Sequence, residues 1–228
     1  TGNPFFLPQY TWNTELSHQY KNLLITSVSY SHIKNYFSQL FLTDTAKGIL
    51  YYSEGNVGRA HNIGVSVTLN VSPFKWWSLT AQAVYNHKDL KGYNGNVNFR
   101  SNINQLNINI SNQFSFLKVY TGEISGFYTS RARNDLQEVL YPTGQVSLGI
   151  SRPVLKKKGT LKFSARDIFY TNAMEGLTQF DRATEYFILW RDSRVFNLSF
   201  TYRFGKAYKA GKRSSGSAGD EMQRVGNG

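Results

Sequence analysis

Val195-Phe196-Asn197-Leu198-Ser199-Phe200-Thr201-Tyr202-Arg203-Phe204 alternates without interruption. Phe196, Leu198, Phe200, Tyr202 and Phe204 share one side of an extended chain, and Val195, Asn197, Ser199, Thr201 and Arg203 share the other. Successive side chains of a strand point to opposite faces, so this period of two predicts a strand with one apolar and one polar face. The same pattern recurs upstream. Ile63, Val65, Val67, Leu69 and Val71 alternate with Gly64, Ser66, Thr68 and Asn70, and Trp77, Leu79, Ala81, Ala83 and Tyr85 alternate with Ser78, Thr80 and Gln82. Leu106, Ile108 and Ile110 oppose Asn107, Asn109 and Ser111, and Val146, Leu148 and Ile150 oppose Gln145, Ser147 and Gly149. Leu161, Phe163 and Ala165 oppose Lys162, Ser164 and Arg166. Tyr120, Ile124 and Tyr128 form a blurred face, Leu23 to Tyr30 a mixed one, and Thr14 to Tyr20 a weaker one. Helical periodicity is nearly absent.

The pattern predicts about nine strands in an antiparallel meander, many near the ~9–11 residues that cross a bilayer when tilted. Short connections at 20–22, 72–75, 115–117 and 156–159 alternate with long ones at 37–57, 88–101, 130–143 and 171–191. Short turns at one rim and long loops at the other are the layout of a transmembrane β-barrel. A β-sandwich also alternates, with its apolar faces packed against each other. Three features favour the membrane reading: the alternation of loop lengths, the small polar residues of the second face, and aromatics near strand ends. Trp76, Trp77 and Tyr20 flank short turns, while Tyr85, Tyr128, Phe169 and Tyr170 flank long loops, where interfacial girdles would lie.

Composition narrows the class further. The 228 residues hold 15% aromatics and 18% charged residues, which argues against a disordered chain. No run approaches the ~20 apolar residues of a membrane helix. The absence of Cys removes disulfide scaffolds, thiolate metal sites and Cys nucleophiles. Lys and Arg number 26 against 14 Asp and Glu, a net charge of +12 that is partly concentrated after residue 205. The boundary is set there: 1–205 as barrel wall, and 206–228, rich in Gly, Ser, Lys and Arg, as a flexible basic tail. Lys206, Lys209, Lys212 and Arg213 read as solvated tail charges and not as a nucleic-acid patch, because Tyr208 is the single aromatic among them. The start at Thr1-Gly2-Asn3-Pro4 lacks an initiator Met and a signal-peptide core, so a piece of a longer chain is expected.

Sites of chemistry are sparse. His18, His32, His61 and His87 show no metal-ligand spacing, and no metal or cofactor is expected. His61 and His87 fall towards the long-loop rim near Asp89 and Asp44 without any nucleophile motif, so the chain is not read as an enzyme. Gly92-Tyr93-Asn94-Gly95-Asn96 reads as a loop turn and not a phosphate cradle. Charges on the polar face (Glu15, Glu123, Lys162, Arg166 and Arg203) are expected to point into a lumen. A Lys or Arg facing lipid at the midplane costs roughly 2–4 kcal/mol. The expected lipid-facing set is Ile63, Val65, Val67, Leu69, Leu79, Leu106, Ile108, Leu148, Leu161, Phe163, Phe196, Leu198, Phe200, Tyr202 and Phe204. Ligand contacts are expected from loop positions 51–62, 91–100 and 180–190.

Four stretches together carry a family resemblance. Asn3-Pro4-Phe5-Phe6-Leu7-Pro8-Gln9 with Glu15-Leu16 is similar to an Asn-Pro-x-Leu-x-Pro-Glu…Glu-Leu pattern, departing from it at Gln9. The others are Lys75-Trp76-Trp77-Ser78-Leu79, the 155–161 turn with Asp167-Ile168-Phe169, and Trp190-Arg191-Asp192-Ser193-Arg194 followed by 199–205. In this order they resemble the C-terminal barrel of TonB-dependent receptors, in particular outer-membrane β-barrel family proteins. The resemblance implies an outer-membrane barrel of 22 strands around an N-terminal plug, importing a scarce ligand with energy passed through TonB. It further implies that this chain supplies the last strands and that its missing partners are the N-terminal strands, the plug and the TonB system. The C-terminus would then lie in the periplasm, with no nucleic-acid partner and an unidentified ligand. A complete small barrel of 8 or 10 strands, acting as pore or adhesin, and a soluble carbohydrate-binding β-sandwich are the rival expectations.

Overall fold

The computed structural model describes residues 6–44, 47–94, 97–134, 136–179 and 184–204. The proposed tail at 206–228, Gly95-Asn96 and the start of the Asn-Pro stretch lie outside the described residues. Every regular element described is a strand: β1 (Tyr10–Tyr20), β2 (Leu24–Asp44), β3 (Ile49–Phe74), β4 (Trp77–Asn94), β5 (Val97–Phe116), β6 (Tyr120–Thr129), β7 (Ala132–Asn134), β8 (Glu138–Leu140), β9 (Thr143–Val154), β10 (Gly159–Arg166), β11 (Met174–Gln179), β12 (Thr184–Leu189) and β13 (Val195–Tyr202).

Nine strands form one antiparallel sheet in the order β1-β2-β3-β4-β5-β6-β9-β10-β13. Its register aligns the apolar faces of all nine. One transverse row runs Leu198, Phe163, Ile150, Gly122, Phe114, Trp77, Phe74. A second runs Leu16, Val28, Val65, Tyr85, Leu106. The opposite face carries rows such as Asn70, Thr80, Ser111, Ser125, Ser147. The apolar face is not covered by a second layer: Phe196 is 64% and Phe200 56% exposed, and Leu69 is half-buried. A sandwich would bury all three.

The short connections match the sequence reading and are tight hairpin turns, several with left-handed residues: Lys21, Leu117, Lys118, Leu155, Lys156 and Lys157. The long connections do not stay loops. Segments 37–57 and 88–101 continue the ladder, so that β2, β3, β4 and β5 reach 21, 26, 18 and 20 residues, about twice a bilayer crossing. Segments 130–143 and 171–191 supply a second, four-stranded sheet in the order β12-β11-β8-β7.

A bulge marks where β2 and β3 lengthen. The register slips between Lys34 and Phe37, with Asn35 at φ 53° and Gly58 at φ 144°. One extra residue on each strand reverses which parity faces which way. Below the bulge Ile33 and Ala60 share the polar face; above it Tyr36, Ser38 and Val57 do. The tight core of the chain sits at this level, formed by Tyr36, Val57, Ala60, Leu90 and Leu136 with Ile33 against them. Leu136 comes from the β7–β8 turn, which therefore lies over the polar face near the long-hairpin end.

Among the described residues, β1 pairs only with β2 and β13 only with β10, which leaves a free edge on each side of the sheet. All eleven residues of β1 are exposed.

Candidate functional site

The two faces of the sheet form different surfaces. On the apolar face, the short-turn rim is an aromatic band in which Phe74 stacks on Trp76 at 5.4 Å and Trp77 on Phe114 at 6.2 Å. Trp77 Nε1–H donates to Asn112 Oδ1 at 3.0 Å, so the indole has one wet edge and one apolar body. Aliphatic rows follow, then a second polar-aromatic level with Tyr30, Tyr85, His61 and His87. There the Tyr85 hydroxyl donates to Asn104 Oδ1 at 2.9 Å.

The polar face is a wall of amides and hydroxyls bonded to one another across and along the strands. Thr80 Oγ1 donates to Asn70 Oδ1, Thr129 Oγ1 to Asn107 Oδ1, and Gln145 Nε2 to Ser147 Oγ, each at 3.0 Å. Where Gly126 lets β6 and β9 approach (a Cβ there would meet Gln145 O at 2.7 Å), the wall dips on both sides. The polar-side depression is about 320 Å³, lined by Gln82, Asn109, Ser111, Gln145 and Phe127. The apolar-side groove is about 270 Å³, lined by Ile108, Ile110, Ile124 and Val146.

The predicted charged residues distribute unevenly on the polar face. Lys162 Nζ lies 3.7 Å from Glu123 Oε2, bridging over Gly149 of the intervening β9. Arg166 Nε–H donates to Ser193 O at 3.2 Å. Glu15 is exposed on the edge strand β1, and Arg203 lies just past β13, its N–H donating to Lys158 O at 2.8 Å. The predicted apolar residues sit together on the opposite face, with Phe204 two residues beyond β13 and in edge contact with Tyr202 at 4.6 Å.

His61 does not form a relay with Asp89. Its Nδ1 lies 2.8 Å from the Tyr30 hydroxyl and 3.3 Å from His32 Nδ1, while His87 Nδ1 lies 2.7 Å from Asn104 Oδ1. The Asp89 carboxylate accepts two hydrogen bonds from Arg100, at 3.1 and 3.2 Å. The side chain of Asp44 lies outside the described residues. No group of three or more His, Cys, Asp or Glu positioned to hold a metal occurs among the described residues.

A more enclosed cleft lies where the four-stranded sheet joins the main one. It has about 150 Å³ and is lined by Gln105, Thr129, Thr143, Asn172, Glu175 and Arg191 among others. Thr143 Oγ1 is buried there without a partner. Beside it, Asp167 is fully buried and gathers two loop segments: the Ser193 hydroxyl, the N–H groups of Thr171 (3.0 Å) and Asn172 (3.1 Å), and the Thr171 hydroxyl all donate to it. Burial pushes the Asp167 carboxyl up, but these donors outweigh it and hold it below its ordinary value. Of the expected ligand positions, 51–62, 91–100 and 184–190 are not among the residues lining this cleft, and 180–183 lie outside the described residues. The cleft's residues come from five separate segments with no shared pattern, so no sequence signal joins them.

Such a sheet, with one lipid-like face, one polar face, aromatic rims and short turns opposite long hairpins, defines the wall of a transmembrane β-barrel. The chain belongs to the outer membrane protein beta-barrel family, whose model matches residues 1–202. No curated protein and no solved structure matches it.

Proposed function

We propose that this chain is a section of the wall of an outer-membrane, TonB-dependent receptor-like barrel that imports a ligand and performs no chemistry on it. The observation that carries the reading is the single apolar face running in register from β1 to β13, with both sheet edges unpaired among the described residues. In hydrocarbon an unpaired backbone group costs several kcal/mol, so a wall of this kind requires further strands on each edge. The missing N-terminal strands and plug would complete it, the plug against the amide and hydroxyl wall and the TonB system reaching it from below. The expected lipid-facing residues line the apolar face, and Glu123, Lys162 and Arg166 the lumen. The Arg203 N–H bond to Lys158 holds residue 203 at the short-turn rim, which supports reading that rim, and the C-terminus after it, as periplasmic. The cleft at Gln105, Thr143, Glu175 and Arg191 is then the candidate ligand contact on the extracellular side.

Single-cysteine scanning tests the orientation without background, because the chain has no Cys. In outer membranes, Val65→Cys, Leu148→Cys and Leu198→Cys are expected to resist a water-soluble maleimide, and Ser66→Cys and Ser147→Cys to react faster. The opposite ranking overturns the reading. Peptide mapping of the native outer-membrane polypeptide tests the receptor assignment: a plug preceding these strands supports it, and a native protein without one overturns it.

A further inference from the structure

Above the aliphatic rows, the apolar face ends in a transverse row of cations. Lys34 of β2 is the register partner of Arg59 of β3, Arg59 of Lys91 of β4, and Lys91 of Arg100 of β5. All four are exposed, and neighbouring strands are ~4.8 Å apart, so the row spans about 15 Å. One carboxylate serves it: Asp89, 3.5 Å from Lys91 Nζ and 3.1 Å from Arg100 Nε. Among the described residues, Lys34 and Arg59 have no acidic partner. Like charges directly opposite each other on a sheet destabilise it, so this row stands at a cost unless an anion meets it.

Its height gives the anion a place. From Trp77 in the aromatic rim to Lys91, β4 climbs roughly 35 Å at a tilt of ~40°. The apolar band of such a barrel is about 25 Å tall, so the row clears the hydrocarbon and lies at headgroup depth. We propose that Lys34, Arg59, Lys91 and Arg100 dock the phosphate-bearing headgroups of the lipid leaflet on the long-hairpin side. Arg supplies a planar fork suited to phosphate and Lys a mobile point charge, while the aliphatic rows below receive the acyl chains. The proposal rests on the membrane orientation given above.

The test uses the native outer-membrane polypeptide that contains these strands, purified in detergent micelles, with retention of added lipid read by native mass spectrometry. The probes are bisphosphorylated lipid A, the same lipid after removal of its phosphates, and inorganic phosphate. The variants are Lys34→Gln/Arg59→Gln and, at the opposite rim, Lys156→Gln/Lys157→Gln. Each cation at a membrane surface contributes roughly a five-fold factor in binding, so the first variant is expected to retain bisphosphorylated lipid A about 20–30-fold more weakly. The second is expected to match the parent, and the dephosphorylated lipid to bind both forms weakly and equally. Equal retention of both lipids by the parent, an unchanged Lys34→Gln/Arg59→Gln variant, or inorganic phosphate binding as tightly as the lipid overturns the headgroup site. Retention of every lipid regardless of phosphate would do so while leaving the lipid-facing orientation intact, and failure to retain any lipid overturns both.

Discussion

Lys162 Nζ reaches Glu123 Oε2 at 3.7 Å across the whole width of β9, because Gly149 stands between them on the same face. A Cβ on Gly149 would make ordinary contact with both side chains, 3.6 Å from Glu123 Cβ and 3.8 Å from Lys162 Cε. The gap thus admits a methyl group without displacing either partner. Both side chains are almost half exposed, and ion pairs of that kind contribute ~0–1 kcal/mol. Glu123→Gln in the full chain is therefore expected to lower unfolding stability by less than about 1 kcal/mol in micelle urea titrations. A larger loss would show that the pair is shielded from water.

Gly58 is the residue that the bulge cannot replace. Its φ of 144° is a backbone conformation that other residues rarely adopt, and an added Cβ would fall 2.2 Å from Lys91 O and 2.5 Å from Gly92 Cα. Gly58→Ala is expected to cost roughly 2–4 kcal/mol and to loosen the upper hairpins before the lower sheet. Limited proteolysis reads this as earlier cleavage in 37–57, and unchanged cleavage there would contradict it.

Asp167 predicts a pH response in the loops. Its folded carboxyl is held below its ordinary value, so it contributes stability above the unfolded value of about 3.8–3.9, and that contribution is lost as pH falls through the folded one. Amide exchange at Thr171 and Asn172 is expected to stay slow at pH 5 and to accelerate only below about pH 4. In Asp167→Ala both amides should exchange fast at every pH.

The β5–β6 turn carries Leu117 at φ 48° and Lys118 at φ 60°, where Asn-Gly is the favoured pair. Leu117 is also 76% exposed, so replacing it removes no buried contact. Leu117→Asn/Lys118→Gly is expected to stabilise the chain by about 1–2 kcal/mol, measured as a shift of the urea midpoint at constant slope. A destabilised variant would mean that Leu117 packs against lipid.

Much of the wall was legible because strands inside a bilayer must alternate. Phe196, Leu198 and Phe200, or Ile63, Val65 and Val67, announce their face by parity alone. The hairpin extensions were not legible, since above the apolar band nothing demands an apolar face and the bulge at Asn35 breaks the period. The stretch at 7–9 shows the same limit. Its likeness to a strand-leading pattern was visible, but not that Gln9 Oε1 accepts the Phe37 N–H at 2.9 Å, nor that Asn56 exchanges hydrogen bonds with the Leu7 backbone at 2.8 and 3.0 Å. The four-stranded sheet was hidden because Ala132–Asn134 and Glu138–Leu140 are too short to show a period, and Glu138–Leu140 pairs with a segment more than thirty residues away.

What the chain determined by itself is which residues share a face, because the two-residue repeat is a property of extended covalent geometry. Which residues of different strands stand side by side was decided only by tertiary structure. Lys34, Arg59, Lys91 and Arg100 become one row, and Gln105, Thr143 and Arg191 one cleft, through ladder register, a bulge and the placement of loops. Those depend on hydrogen bonds between segments far apart in sequence, each of which would satisfy the same alternation at several other alignments.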